Sequence, residues 1–138
     1  MERSYVDVNV FVYWLGGHPA YGLRAKEWIN AIASAPRGSF VTSSLTVYEA
    51  AVILAGLVGT SLKNALFVEK IIEAFGELAG LLLVELEGRD FTEALKLMKE
   101  HRMDFEDALH LAVARRIGAT RIISNDLDFD NAPLARVF

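Results

Sequence analysis

The feature of this sequence that most limits its fold is the alternation of short apolar runs with longer segments of helical periodicity. The short runs predict strands over residues 4–8, 40–43, 81–85 and 121–124, with a short fifth strand at 137–138. The longer segments predict helices over about residues 21–34, 45–57, 62–75, 90–101 and 105–117. The third strand is apolar on both faces, as in a parallel sheet that is covered on both sides. The pattern favours an α/β fold, a three-layer α/β/α sandwich with a central parallel sheet of four to five strands.

Length and composition favour one domain. With 138 residues, 53% of them hydrophobic, the chain can form one sizeable core, so we expect a single domain over residues 1–138. There is no cysteine, no amino-terminal signal pattern and no apolar run near the roughly 18 residues of a membrane span. We therefore expect a cytoplasmic protein without membrane contact. The net charge of −4 argues against non-specific coating of nucleic acid, but not against an enzyme that meets phosphates through a metal.

The first apolar run, "SYVDVNVFVY", contains two polar residues that a buried strand would not ordinarily hold. Asp7 and Asn9 interrupt a series of valine, tyrosine and phenylalanine side chains. Burying an unpaired carboxylate costs several kcal/mol unless a partner or a metal compensates its charge. The sequence therefore predicts that Asp7 faces a compensating group.

Four acidic residues, one of them Asp7, share a position relative to the predicted sheet. Each lies at the carboxyl end of a strand or in the first turns of an adjoining helix: Asp7, Glu49, Asp107 and Asp126. The carboxyl ends of parallel strands meet at one edge of the sheet, where ligands bind in such folds. Four carboxylates held together repel one another, and a hard divalent cation with oxygen ligands would compensate them.

Each of these acids also has an ordinary structural explanation. The segments "TVYE" and "DFED" have the spacing of capping boxes that close at Glu49 and Asp107, and we expect Asp104 to be a helix N-cap rather than a ligand. Asp7 could end a strand in solvent, and Asp126 could be a turn residue. These explanations do not account for four acids on one edge.

Two further features carry less weight. The segment "NDLDFDN" imitates the opening of an EF-hand calcium loop but lacks the glycine and the glutamate that the loop requires. His110 lies one turn after Asp107 and could approach the site, although a lone histidine is more often a packed or surface residue.

Four motifs, "YVDVNVFVY", "SSLTVYEAA", "DFEDALHLAVA" and "IISNDLDFD", resemble the successive acidic motifs of the PIN domain. Their order and the chain length resemble the VapC toxins of prokaryotic toxin–antitoxin pairs. The resemblance spans nearly the whole chain and implies a PIN-like fold in which the catalytic and metal-binding residues are Asp7, Glu49, Asp107 and Asp126. It also implies supporting roles for Asn9, Ser124 and Asp128, beside Asp104 as the expected cap.

The resemblance implies an endoribonuclease that hydrolyses RNA phosphodiester bonds with Mg²⁺ or Mn²⁺. Asp7 and Asp107 would bind the ion directly, while Glu49 and Asp126 would bind a second ion or hold water at the first. The resemblance also implies a homodimer and a small antitoxin whose carboxyl-terminal segment blocks the acidic cleft. The segment "EAAVILAGLVG" is apolar nearly all round its helical wheel, which indicates burial on more than one side.

Two other functions stay open from the sequence. One is a catalytically silent PIN-like module that only binds a partner. The other is an aspartate-based phosphotransfer enzyme, although Asn9 stands where the haloacid-dehalogenase type needs its second aspartate.

Overall fold

The computed structural model describes residues 2–138 and contains a five-stranded, fully parallel sheet. The strands are β1 (Ser4–Val6), β2 (Phe40–Ser43), β3 (Leu81–Val84), β4 (Arg121–Ile123) and β5 (Ala135–Val137). Their order in the sheet is β3-β2-β1-β4-β5. The chain adds strands to one side of β1 and then to the other, which leaves a crevice at the carboxyl ends of β1 and β4. The predicted three-layer α/β/α sandwich is confirmed.

Six α-helices and one 3-10 helix cover the two faces of the sheet. They are α1 (Val8–Leu15), α2 (Gly22–Ser34), α3 (Ser44–Val58), α4 (Ala65–Gly76), α5 (Gly88–His101), α6 (Phe105–Arg116) and the 3-10 helix Leu127–Asn131. Val6 and Ile123 point into the core formed with α1 to α4. Tyr5 and Ile122 point into the core formed with α5 and α6. Because successive strand residues alternate between faces, two short strands supply both cores. No helix within residues 2–138 has the length and apolar character needed to cross a membrane.

The first apolar run is divided between a strand and a helix, which corrects the prediction of a strand over residues 4–8 and of no helix before residue 21. β1 ends at Val6 and α1 begins at Val8, so Asp7 alone connects them. The Asp7 N–H donates to the Ile123 carbonyl (3.0 Å), and the Asp7 side chain accepts from the Val8 N–H (2.8 Å). The run of valines has strand propensity, but this N-cap and the packing of α1 against α2 and α3 override it.

The other predicted elements lie close to the observed ones, with one error of environment. The third strand does not have both faces covered: Leu83 is 45% exposed, because β3 is an edge strand that pairs only with β2. The fifth strand begins at Ala135, two residues earlier than predicted.

The beginning of α3 excludes the capping-box explanation for Glu49. The helix starts at Ser44 and its N-cap is Ser43, whose hydroxyl accepts from the Leu45 N–H (3.0 Å). The Thr46 hydroxyl bonds to Thr42 Oγ1 instead (2.7 Å). Glu49 therefore lies in the second turn, where it caps no backbone donor.

Candidate metal centre

Asp7 is a buried carboxylate with a fixed orientation. Asp7 is only 3% exposed. Its Oδ1 caps α1 by accepting from the Val8 N–H. Its Oδ2 accepts from the Ser124 hydroxyl (2.7 Å) and from Asn9 Nδ2 (3.3 Å). Asn9 Nδ2 also lies 3.1 Å from Ser124 Oγ. Asn9 and Ser124, both predicted to support the site, thus hold Asp7 at the crevice between β1 and β4.

Asp126 is tied to the same crevice through Ser124. The Asp126 N–H donates to Ser124 Oγ (3.0 Å), and the Asp126 side chain accepts from the Asp128 N–H (2.9 Å) as the N-cap of the 3-10 helix. Asp126 is therefore a turn residue, as its ordinary explanation predicted. It also lies at the crevice, so a role as a turn residue and a role as an ion ligand are compatible.

Asp107 is the third residue of α6 and is 7% exposed. Its N–H donates to Asp104 Oδ1 (2.9 Å), which confirms Asp104 as the N-cap of this helix. The groups within residues 2–138 that shift the pKa of the Asp107 carboxylate act through burial and charge, not through hydrogen bonds. Asp107 therefore keeps its carboxylate available to a ligand at the crevice.

Three aspartates have the spacing of a cation site. One carboxylate oxygen from each of Asp107, Asp126 and Asp128 lies within 4.8 Å of the other two. We call this set the aspartate trio. Oxygen ligands at about 2.0–2.5 Å from Mg²⁺ or Ca²⁺ lie at most about 5 Å from one another. The donor chemistry and spacing of the trio therefore fit a hard divalent ion.

Residues 2–138 compensate the negative charges at this end of the sheet only in part. Burial, followed by the negative charges of Asp104, Asp126 and Asp7, raises the pKa of Asp107 to about 7. Burial also raises the pKa of Asp7, although the positive charge of His110 and the Ser124 hydroxyl oppose the shift. A bound cation would favour the ionised form of both groups.

Glu49 belongs to a second set of possible ligands. One donor atom from each of Glu49, Glu106 and His110 lies within 4.8 Å of the other two, and we call this set the histidine group. Glu49 Oε1 lies 2.5 Å from His110 Nε2, and the Tyr5 hydroxyl lies 2.6 Å from His110 Nδ1. Hydrogen bonds from Tyr5 through His110 to Glu49 thus connect β1, α6 and α3.

The charges of the histidine group are partly compensated within the group. Burial acts to raise the pKa of Glu49, but the hydrogen bond and the positive charge of His110 bring it below the usual value. A hydrogen bond between the Glu49 and Glu106 carboxyl groups needs one shared proton, and it raises the pKa of Glu106 to about 8. With both groups ionised, Glu49 Oε2 is buried without a hydrogen-bond partner among residues 2–138.

The structure divides the four acids that the sequence singled out. Asp107 and Asp126 come together, and Asp128 joins them. Glu49 lies in the histidine group, and Asp7 belongs to neither set of three, although its charge acts on Asp107 and the charge of Glu49 acts on it.

Sequence reasoning missed Glu106 and Tyr5, and it gave His110 little weight. Glu106 and His110 are four residues apart on α6, so they share one face of that helix, and this spacing was a readable signal. Tyr5 could have been noted because a buried phenol needs a hydrogen-bond partner. The identity of that partner, 105 residues away, follows only from the fold.

The match to known proteins covers nearly the whole chain. The PIN domain matches residues 4–134. No curated protein matches the sequence. Several solved structures share the fold at low sequence identity, and three of them are described next.

VapC20 of Mycobacterium tuberculosis, described as a sarcin–ricin loop cleaving toxin, is 18% identical with a TM-score of 0.77, over 97% of this chain and 98% of that chain. A toxin–antitoxin complex from Klebsiella pneumoniae is 19% identical with a TM-score of 0.72, over 98% and 96% of the two chains. VapBC2 of Rickettsia felis, bound to promoter DNA, is 17% identical with a TM-score of 0.67, over 97% and 96%.

These structural similarities establish the fold. The family match extends from β1 to the 3-10 helix and therefore includes all the acidic residues of the crevice. Because that match includes 131 of the 138 residues, this protein belongs to the PIN-domain family.

Proposed function

We propose that this protein is an endoribonuclease that depends on Mg²⁺ or Mn²⁺ and acts as the toxin of a VapBC-type toxin–antitoxin pair. Membership of the PIN-domain family supports a nuclease. The observation that carries the proposal is the aspartate trio, whose carboxylate ligands, spacing and excess negative charge suit a divalent ion. We further propose that residues 1–138 act as one nuclease domain, in the cytoplasm.

The catalytic acids are proposed to be Asp7, Glu49, Asp107 and Asp126. A bound Mg²⁺ or Mn²⁺ ion supplies Lewis-acid stabilisation to the phosphodiester and lowers the pKa of a water molecule. The aspartate trio holds the ion, and Asp7 adds a charge that Ser124 and Asn9 keep in place. Glu49 belongs to the histidine group, and its charge acts on Asp7. The acidic crevice repels RNA phosphates until the bound ion reverses its local potential.

The experiment that tests this function is a cleavage assay on a mixture of structured and unstructured RNA, with Mn²⁺ and with EDTA. We expect cleavage by the wild type only with the ion, and a loss of at least about a thousandfold for Asp107→Asn, because the amide is no longer an anionic ligand. Asp130→Asn is the matched control: Asp130 lies in the 3-10 helix but pairs with Arg136 outside the trio. No cleavage by the wild type would favour the catalytically silent partner-binding module.

The proposed homodimer rests on exposed apolar side chains of α3 and α4. The face of α3 that carries Ala50 and Leu54 is buried in the core, but the opposite face is exposed. The exposed apolar residues of this region are Val52, Ile53, Leu57, Val58, Leu62, Leu66 and Ile72. A surface of this kind is typical of a protein–protein interface.

Light scattering tests the homodimer. We expect a dimer at micromolar concentration for the wild type and a monomer for Leu57→Glu. Leu23→Glu is the control, because Leu23 is an exposed leucine on α2, away from this surface. A wild-type monomer would contradict the dimer, and the exposed surface would then be assigned to the antitoxin.

The antitoxin partner is proposed from the family resemblance and from the structural neighbours that are toxin–antitoxin complexes. We expect its carboxyl-terminal segment to block the acidic crevice. Co-expression of the adjacent small gene should yield a complex without nuclease activity, and release of activity on proteolysis of that gene product would support the blockade.

A further inference from the structure

His110 is a buried ionisable residue that is bonded at both ends of its ring. The residue is 1% exposed, and the Tyr5 hydroxyl and Glu49 Oε1 lie 2.6 and 2.5 Å from its two nitrogens. The hydrophobic cluster on this face of the sheet includes Leu111 and Ile122, which are both fully buried. An apolar side chain would fill this space without the cost of desolvating an imidazole. The histidine is therefore explained by its bonds rather than by packing.

The proton on the ring can be located by chemistry. Glu49 Oε1 lies 2.5 Å from His110 Nε2, so a proton must lie between these two atoms, and a glutamate that serves as an ion ligand is ionised and can only accept. His110 Nε2 must therefore carry a proton and donate it to Glu49 Oε1. At Nδ1 the Tyr5 hydroxyl can either donate or accept, so it anchors the ring in both of its protonation states. The direction of the bond to Glu49 is thus the same in either state.

Glu49 needs such a constraint if it is to serve as a ligand. A glutamate has three rotatable side-chain bonds, and fixing them costs conformational entropy that a bound ion would otherwise have to offset. The bond from His110 occupies Oε1, whereas Oε2 receives no bond from a nitrogen or hydroxyl donor among residues 2–138. The proton shared with Glu106 is therefore the group that a divalent ion would replace beside Glu49. Glu49 is also close enough to Asp7 for its charge to act on that carboxylate.

We propose that His110 is a positioning residue of the acidic centre: anchored by Tyr5, it holds the Glu49 carboxylate so that Oε2 is presented to the divalent ion. This inference rests on the proposed function, because it assigns a task to the ion site of the same nuclease. His110 itself does not touch the ion or the RNA. Its effect on the ion is transmitted through Glu49, as with residues that orient metal ligands in other proteins.

The test is Mn²⁺ affinity measured by electron paramagnetic resonance, in a double-mutant cycle between His110 and Glu49. We expect His110→Leu to weaken Mn²⁺ binding about tenfold, the lower end of what loss of such an orienting bond costs. In the Glu49→Gln background the same change should have no further effect, because the group that His110 orients is already lost. His101→Leu is the control: His101 is a partly exposed histidine whose nearest acidic partner is Glu100, at 3.9 Å.

Two milder variants keep the test decisive if His110→Leu does not fold. His110→Gln retains a donor near the position of Nε2 and should keep most of the affinity. Tyr5→Phe removes only the anchoring hydroxyl and should weaken Mn²⁺ binding by a smaller factor than His110→Leu. Melting temperatures in EDTA identify variants whose fold is damaged.

The outcomes separate this inference from the proposed function. Unchanged Mn²⁺ affinity in His110→Leu or Tyr5→Phe, or an equal loss in the presence and absence of Glu49, would overturn the positioning role while wild-type cleavage left the nuclease standing. A wild-type protein that binds no Mn²⁺ would overturn both, since there would be no ion for Glu49 to meet.

Discussion

Asp90 and Asp107 occupy the same position in two neighbouring helices, yet their surroundings are opposite. Each is the third residue of its helix, α5 or α6, and each is buried, at 2% and 7% exposure. The two Asp90 oxygens lie 2.8 and 2.9 Å from the guanidinium nitrogens of Arg116, and one also accepts from the Glu87 N–H (2.8 Å). Asp107 has three acidic neighbours and no bonded counterion, and the charge of His110 opposes them only in part.

The pKa shifts follow from these surroundings. Burial acts to raise the pKa of Asp90, but the hydrogen bonds and charge of Arg116 bring it below its ordinary value. Burial and like charges together raise the pKa of Asp107 to about 7. A buried carboxylate with its counterion in the chain is satisfied within the fold and is costly only when that counterion is removed. A buried carboxylate without a bonded counterion is instead a candidate ligand for an external cation.

The largest expected change in stability comes from removing the counterion of Asp90. Arg116→Met should destabilise the protein by about 3 kcal/mol, because it leaves a buried carboxylate unpaired. Urea unfolding at pH 7 in EDTA measures the change. Adding Asp90→Asn to Arg116→Met should recover much of the loss, and no recovery would mean that Arg116 acts through its bond to the Glu85 carbonyl (2.8 Å) instead.

The next largest change in the free energy of unfolding is expected at Asp107 and has the opposite sign. Without metal, Asp107→Asn should stabilise the protein at pH 7. The shift from 3.8 to about 7 corresponds to about 4 kcal/mol at about 1.4 kcal/mol per pKa unit, and solvent at the crevice reduces this to the order of 2 kcal/mol. Urea unfolding in EDTA provides the measurement, and a less stable variant would show that the chain does compensate this charge.

The same shift fixes a pH dependence. Between about pH 4 and pH 7 the folded metal-free protein binds more protons at Asp107 than the unfolded chain does, so its stability should fall as the pH rises through this window. Asp107→Asn should have a flatter profile there. Saturating Mn²⁺ should stabilise the wild type at pH 7 but not this variant, which thermal melts can compare directly.

The smallest expected change in stability is at Asp7, whose charge is compensated less than that of Asp90 and more than that of Asp107. Its pKa is raised, mainly by burial and to a lesser extent by Glu49, but hydrogen bonds from Ser124 and Val8 offset part of the cost. Asp7→Asn should therefore raise metal-free stability by only about 1 kcal/mol, since asparagine also caps a helix, and should abolish stabilisation by Mn²⁺. A variant less stable than the wild type in EDTA would identify Asp7 as a structural residue.

The sequence was sufficient where local rules decide the structure. The strands after the first and the cap at Asp104 could be predicted, because they depend on neighbouring residues. The approach of Asp107 to Asp126 followed from strand direction, but the position of Glu49 beside His110 did not. α1 was missed because its valines favour a strand when they are considered without their tertiary contacts. The ion pair of Asp90 could not be predicted, because its partner Arg116 is 26 residues away in the sequence.

The connection between β1 and α1 has a consequence for how this centre can vary. Asp7 is the whole linker: its N–H closes the sheet onto β4, and its carboxylate starts the next helix. One inserted residue would separate the bond to β4 from the cap or, if α1 took it up, turn the helix by about 100° and carry its buried valines out of the core. The position of this acid is therefore inherited together with the ability to fold, so that lengthening or shortening the chain here costs the whole domain, and only substitution can silence the acid alone.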